Sequence, residues 1–379
     1  MKWSDKGLFE WVPCPANNFE IDWNRLFTLF PILEELREVP QDPVYHREGD
    51  VWTHTRMVVE ELAADNTWHA RPEPGRSETW IAALLHDIGK KSTTRVHSNG
   101  SVSSPNHAMV GSRMARVILW KHEEIDIPFE ARERIVNYVR YHGLPVWAME
   151  KRDAKMRVLL TSQQISNYNL YLLARSDVKG RICDDKQQML GAVEMFQDFC
   201  SGFDCLLQPF PFADDYTRFL YARGQDRDPR FPAYDETTFE VILMSGLPGT
   251  GKDTWIDEHG GGQPVVSLDQ IRDELGIPPD GNQGKVIQTA KERAKEHLRN
   301  QEPFIWNATN ITRSLRKPLI DLFTRYNARV KIVYTECSYP ELIKRNRDRE
   351  KPVPEKVLEK LISKWEEVDC FEGFLDIFT

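Results

Sequence analysis

The sequence predicts a multidomain protein: an all-α domain followed by an α/β domain built on a parallel sheet. Three observations carry that expectation. The chain has 379 residues, more than a single hydrophobic core usually holds. Residues 24 to about 195 repeat apolar positions at helical spacing. From residue 239 onward, short apolar runs alternate with helical stretches, and the first run ends directly in a glycine-rich loop. The expected organisation is a helical domain over 1–195, a connector over 196–238 and an α/β domain over 239–379.

The helical half is read from RLFTLFPILEELREV, HTRMVVEELAADN, ETWIAALLHDIGKK, AMVGSRMARVILWKH, PFEARERIVNYVRYH, KMRVLLTSQQISNYNLYLLARSD and KQQMLGAVEMFQDF, several of them separated by proline or glycine. The stretch QPFPFADDYTRFLYARGQDRDPRFPAYDETT has too many aromatics for a free linker and reads as a connector packed on its neighbours. Beyond it, FEVILMSG, PVVSLD, EPFIWNATN and ARVKIVYTE are strand-type runs with helical stretches between them. Such alternation places a ligand site at the carboxyl ends of the strands.

Composition narrows the function classes. The six cysteines contain no C-x-x-C pair and no zinc-type spacing, so they read as reduced packing residues. A net charge of −8 argues against a broad basic surface that coats duplex DNA, while leaving room for a local basic groove. No apolar run has the length of a membrane span and the first residues do not read as a signal peptide, so a cytoplasmic protein without a membrane partner is expected.

The glycine-rich loop is GLPGTGKDT, residues 246–254. It fits G-x-x-x-x-G-K-[ST] at Gly246, Gly251 and Lys252, with Gly249 and Thr250 inside the turn and Thr254 just after it. Loop amides and the following helix N-terminus can surround the phosphates of ATP or another NTP, with Lys252 adding positive charge. Asp253 stands where a hydroxyl normally helps to hold Mg2+. It reads either as a magnesium ligand or as a first-turn carboxylate favoured by the helix dipole. In SLDQIRDELG, Asp269 and Arg272 stand three apart after a strand. They suit a general base and a phosphate-gripping arginine, or a helix N-cap and a surface arginine. NATNITRSLR places Asn307, Thr309, Asn310, Arg313 and Arg316 at another strand end, where polar groups can contact a nucleotide substrate. ELIKRNRDREKPVPEK carries Arg345, Arg347 and Arg349, either a lid over the transferring phosphoryl group or a solvated basic face.

The order GLPGTGKDT, SLDQIRDEL, NATNITRSLR, KRNRDRE is similar to the 5′-hydroxyl polynucleotide kinase family of RNA repair, across most of residues 239–379. The resemblance implies that Asp269 is the general base for the 5′-OH, that Arg272 grips the acceptor's phosphate and that Arg345 and Arg349 contact the donor phosphates. Asp253 departs from the serine or threonine of that family.

In the helical half, VWTHT, LLHDIGKK, PNHAMVG, RYHGLP and ARSDVKGR supply His54, His86, Asp87, His107, His142 and Asp177 in apolar surroundings. Adjacent His86 and Asp87 diverge by about 100° on a helix, which lets Asp87 bridge two metals. Paired divalent ions clamp a phosphoester and acidify a bound water. The pattern H…HD…H…H…D resembles the HD phosphohydrolase superfamily. The resemblance implies one metal on His54, His86, Asp87 and Asp177 and a second on Asp87, His107 and His142. It also implies that Lys90 and Arg181 face the substrate phosphate, with His46 either doing the same or lying on the surface. Mixed N/O ligation suits Mn, Fe, Co, Ni or Zn. The flanking VPQDPVYHREGDVWTHT and LARSDVKGR look like the HD domain appended to some bacterial tRNA nucleotidyltransferases, which acts on 2′-phosphates and 2′,3′-cyclic phosphates.

Together the halves resemble the bifunctional HD-Pnk family, an all-α HD-type domain fused to an α/β P-loop kinase domain. The resemblance implies an RNA end-healing enzyme that phosphorylates 5′-OH ends and removes 2′-, 3′- or 2′,3′-cyclic phosphates. Its substrates would be RNA, or DNA, ends with an NTP donor, and its functional partner an RNA ligase. Two rivals stand beside it: an HD nucleotidase fused to a small-molecule kinase in nucleotide metabolism, and a silent HD domain that senses a nucleotide and controls the kinase.

Overall fold

In a computed structural model, which describes residues 10–122, 124–278 and 281–378, the chain divides between Pro211 and Phe212, inside the stretch expected as a connector. In the first unit, helix α1 (Val51–Ala63) begins at Asp50, whose carboxylate accepts the Thr53 amide at 2.8 Å. Such a cap satisfies an amide the helix itself leaves orphaned. Helix α2 (Gly75–Leu85) is buried at every position from Arg76 to Leu85 and forms the centre of the core. Helices α3 (His107–Lys121) and α4 (Phe129–Tyr141) pack on each other, and α1, α4 and α5 (Asn167–Lys179) pack on α2. Helix α6 (Lys186–Gly202) covers α5.

Three expected helical stretches are broken, ETWIAALLHDIGKK among them: its helix ends at Leu85, and a turn carrying His86 and Asp87 leads to the short helix Lys90–Thr93. KMRVLLTSQQISNYNLYLLARSD divides into Ala154–Thr161 and α5, because Ser166 caps the second helix by accepting the Asn169 amide. RLFTLFPILEELREV divides at Pro31 into Trp23–Leu29 and Ile32–Glu35. A proline has no amide to continue a helical ladder. The turn after α2 approaches the start of α3 at Gly89, where a Cβ would lie 2.1 Å from the His107 carbonyl oxygen. Only glycine allows that contact. Between the two runs a short antiparallel hairpin, Arg95–Val96 with Val102–Ser103.

The second unit opens with α7 (Asp215–Ala222), a helix inside the expected connector, capped by Asp214. Strands β1 (Phe239–Ser245), β2 (Val265–Ser267), β3 (Phe304–Asn307), β4 (Ala328–Thr335) and β5 (Phe374–Phe378) form a parallel sheet in the order β2-β3-β1-β4-β5. All of β1 except Glu240 is buried, as a central parallel strand requires. The connections leave β1 toward β2 on one side and reach β4 on the other, so the loop after β1 opens at the switch point of the sheet. The helices are α8 (Lys252–His259), α9 (Leu268–Glu274), α10 (Gln283–Arg299), α11 (Arg313–Thr324), α12 (Tyr339–Asp348) and α13 (Glu355–Ile362). Strand β5 lies beyond those expected from the sequence. Among the described residues no helix is long and apolar enough to cross a membrane, and no disulfide joins any of the six cysteines.

Candidate active sites

The first unit brings helix ends to one point. His54 comes from the first turns of α1, His86 and Asp87 directly follow α2, His107 starts α3, His142 follows α4 and Asp177 lies near the end of α5. Asp87 stands at the centre. Its Oδ2 lies 3.8 Å from His54 Nε2 and 3.3 Å from His86 Nε2, while Oδ1 lies 3.5 Å from His107 Nε2 and 4.0 Å from His142 Nε2. Asp177 Oδ1 lies 3.0 Å from His54 Nε2. The structure therefore gathers all six expected ligands, with each Asp87 oxygen turned to a different histidine pair.

The orientation of the rings has a local cause. His86, His107 and His142 set Nδ1 against the carbonyl oxygens of Ala83, Ser104 and Val139, at 2.7, 2.9 and 2.7 Å. A carbonyl only accepts, so each ring keeps a proton on Nδ1 and turns Nε2 inward. Burial lowers the pKa of His107 and pushes His142 down to about 3. The Nε2 atoms of this neutral pair lie 3.3 Å apart, lone pair toward lone pair. His86 Nε2 and Asp87 Oδ1 are buried without a hydrogen-bond partner. Orphaned donors of this N/O set are what divalent cations satisfy, so the residues fit two metals.

Burial opposes the negative charge of Asp87, but Lys90 and His86 outweigh it and hold the carboxyl well below its usual range. For Asp177 the counterweights to burial are Arg181 and His54. Lys90 Nζ donates to Asp87 Oδ2 at 2.7 Å and to Gln41 Oε1 at 2.6 Å, and Arg181 forks onto both Asp177 oxygens. The two cations thus sit beside the cluster, paired with its carboxylates. The His107 side chain is 29% exposed and those of the other five ligands at most 5%, so the cluster opens toward His107. His46 corrects the surface alternative: it is buried, with Nδ1 2.8 Å from Glu48 Oε1. Glu48 is a residue the motif did not mark. Its place in the turn HREGD, two residues from His46 and six from His54, was the available signal.

In the second unit, the loop from β1 to α8 carries Gly249 and Gly251 at φ 88° and 96°, which glycine adopts without strain. A Cβ on Gly246 would come within 2.4 Å of Thr335 Oγ1. Lys252 Nζ folds onto the loop carbonyls of Gly246 and Leu247 at 3.1 and 2.8 Å. Burial pulls its pKa down to about 8, against the pull of Asp253 and Asp269. The Thr250 hydroxyl is buried against Thr335 Oγ1 and the Leu247 carbonyl, bracing the loop from beneath, and Thr254 is exposed. Asp253 is exposed, and its Oδ1 accepts the Asn307 amide at 2.7 Å, tying α8 to the end of β3.

Asp269 pairs with Arg272, whose Nε also donates to Gln283 Oε1 at 3.1 Å. The capping alternative for Asp269 fails because Ser267 is the N-cap of α9. Arg345, on α12, leans on the loop: its Nη1 lies 3.7 Å from where a Cβ of Gly251 would be. Arg347 shares α12, and Arg349 ends it close enough to lower the pKa of Lys252. The run NATNITRSLR is corrected in part. Asn310 is buried and donates to the Met244 carbonyl at 2.8 Å, and the Thr309 carbonyl accepts the Gly246 amide at 2.8 Å. Arg313 pairs with Asp369, and Arg316 is fully buried, forked onto Glu372 at 2.7 Å. These residues brace the loop and the C-terminal segment, leaving Asn307 as the member that reaches the loop helix.

A helical domain with a divided histidine–aspartate cluster, followed by a parallel sheet with a phosphate-binding loop, defines an enzyme with phosphoesterase-type and kinase-type chemistry. The model of the HD domain family matches residues 50–172, and that of an AAA domain family matches residues 241–368. The chain is also similar to a multifunctional CCA protein of Thioalkalivibrio sulfidiphilus, 30% identical over 219 residues, covering 55% of this chain and 44% of the relative. A multifunctional CCA protein of Halorhodospira halophila is 33% identical over 150 residues, 39% of this chain and 32% of the relative. One from Nitrosococcus oceani is 32% identical over 174 residues, 44% and 39%. The match spans less than half the length of each relative.

Proposed function

We propose that this chain is a bifunctional RNA end-healing enzyme of the HD-Pnk type, acting in the cytoplasm ahead of an RNA ligase. The observation that carries the reading is a pairing within one chain. The Asp87 carboxylate is divided between two histidine sets, and a phosphate loop is flanked by Asp269–Arg272 and covered by Arg345. RNA broken by transesterification ends in a 2′,3′-cyclic or 3′-phosphate on one side and a 5′-OH on the other, and a ligase accepts neither.

In the HD half, His54, His86, Asp87 and Asp177 would hold one metal and Asp87, His107 and His142 a second, drawn from Mn, Fe, Co, Ni or Zn, and the pair would supply a water of lowered pKa and positive charge for the phosphoester. Asp87 and Asp177 hold their charge there because Lys90 and Arg181 neutralise it. In the kinase half, Asp269 takes the proton of the RNA 5′-OH as its oxygen bonds to the γ-phosphorus and ADP leaves. Arg272 holds the acceptor's phosphate. Lys252, Arg345 and Arg349 spread the charge that develops on the transferring group. Asp253, aligned by the Asn307 side-chain amide, would hold the magnesium that accompanies ATP.

The test is an RNA oligonucleotide with a 5′-OH and a 2′-, 3′- or 2′,3′-cyclic phosphate, incubated with ATP, Mg2+ and Mn2+ or Ni2+ and resolved by mass. Both ends should change. Faster turnover of nucleosides and mononucleotides than of RNA would replace this reading with a nucleotide-metabolism pair.

A further inference from the structure

Glu48 lies in the turn before α1, and its side chain is 1% exposed. Its Oε1 is 2.8 Å from His46 Nδ1 and 3.0 Å from His54 Nδ1, and Oε2 accepts the Ile182 amide at 2.9 Å, just past Arg181. The Arg47 amide donates to the Ile182 carbonyl at 3.0 Å, so the turn is clamped to the segment that follows Asp177. A carboxylate only accepts. Both ring nitrogens of His54 therefore face acceptors: Nε2 lies in hydrogen-bond geometry 3.0 Å from Asp177 Oδ1, Nδ1 lies beside Glu48 without that geometry, and a metal on Nε2 would leave the proton on Nδ1, toward Glu48. His86, His107 and His142 receive the same orientation from backbone carbonyls. Among the four inward-facing histidines, His54 alone has a charged side chain beside its Nδ1.

We infer that Glu48 is the positioning residue of the metal set His54, His86, Asp87 and Asp177, holding the His54 ring and accepting its Nδ1 proton when Nε2 takes a metal, while leaving the set Asp87, His107 and His142 untouched. The inference rests on the two-metal reading of the cluster. It makes the sets unequal: one depends on a buried carboxylate that side-chain substitution can remove, the other on main-chain carbonyls that it cannot.

The test uses the full chain, stripped of metal and titrated with Mn2+, read by equilibrium dialysis and electron paramagnetic resonance. The wild type should bind two ions and show the spectrum of a coupled pair. Glu48→Gln keeps an oxygen for His54 but loses the charge and turns an NH2 toward the Ile182 amide. Loss of such an outer partner typically weakens metal binding about 10- to 100-fold. One ion should weaken by that amount while the second stays, leaving the spectrum of an isolated Mn2+. Glu48→Ala should do so more strongly, and His46→Ala, which spares the Glu48–His54 contact, should keep the coupled pair. Thermal unfolding checks the fold, and Glu48→Gln decides if the alanine variant does not fold. The inference is overturned if Glu48→Gln keeps both ions at wild-type affinity, if it loses both equally, or if His46→Ala does the same damage. A folded wild type that binds no Mn2+ instead removes the two-metal reading.

Discussion

Asn307 and Asp253 allow a graded test of the kinase site. The Asn307 amide donates to Asp253 Oδ1 at 2.7 Å, at the mouth of the loop where a nucleotide's magnesium belongs. Asn307→Ala frees the carboxylate without removing it. A hydrogen bond to a charged group contributes about 1.5 to 3 kcal/mol. This one is exposed, so the lower end applies, and about 1.4 kcal/mol corresponds to tenfold. The half-saturating Mg2+ for 5′ phosphorylation should rise about tenfold in Asn307→Ala. Removing the carboxylate costs more. A unit-charge pair about 4 Å apart gains about 1 kcal/mol in water, and a divalent ion doubles it, so Asp253→Ala should need roughly thirtyfold more Mg2+. Asp253→Ser supplies a hydroxyl ligand and should recover most of the activity. The assay is initial phosphorylation rate against Mg2+ for each variant and for the double variant Asp253→Ala/Asn307→Ala. The double variant should be no worse than Asp253→Ala, because Asn307 acts only through Asp253. A wild-type magnesium dependence in Asp253→Ala would refute the metal role and leave a helix-dipole carboxylate.

Three further outcomes are expected. Lys252 titrates at about 8, so it is charged below that pH and neutral above it. ATP binding to the loop wants the charged form, so affinity should be flat up to pH 8 and then fall by about tenfold per unit. Lys252→Arg should flatten the profile, and a pH-independent wild type up to pH 9.5 would contradict the assignment. Asp269→Asn should lower the turnover of 5′-OH RNA by about 10² to 10⁴ with ATP affinity unchanged; an equal loss of ATP binding would point to a magnesium role. Arg316→Ala removes the fork on the half-buried Glu372 carboxylate and leaves it the Asp369 amide and the more distant Arg313, so urea unfolding should show the second unit losing about 3 kcal/mol. A loss below about 1 kcal/mol would contradict its bracing role.

The parts of the sites that were legible in the sequence are those in which residue type and local order carry the chemistry. His86–Asp87 and Gly246–Lys252 act within a few residues of each other, and the strands that end in loops place them. What was not legible depends on partners far along the chain. Arg316 stands beside strand-end polar residues and looks available to substrate, but Glu372, 56 residues on, draws it inside. Glu48 is one acid among many until the fold sets it against His54 and Ile182. Lys90 and Arg181 look free in sequence and are paired in structure, because Asp87 and Asp177 need neutralising where they are buried. The strand FLDIF near the C-terminus is only five residues long and has little buried surface, so its pattern alone is weak; pairing with β4 makes it a strand.

The central claim is that one chain performs two separate phosphoryl chemistries on the two ends of RNA. It is tested most directly by giving wild type, Asp87→Ala and Lys252→Ala the same 5′-OH, 2′,3′-cyclic-phosphate RNA with ATP and metals, and weighing both ends. The account predicts that wild type converts both. Asp87→Ala should add the 5′-phosphate and leave the cyclic phosphate, and Lys252→Ala should do the reverse. Loss of both reactions in either folded variant, or an unchanged RNA with wild type, would contradict it.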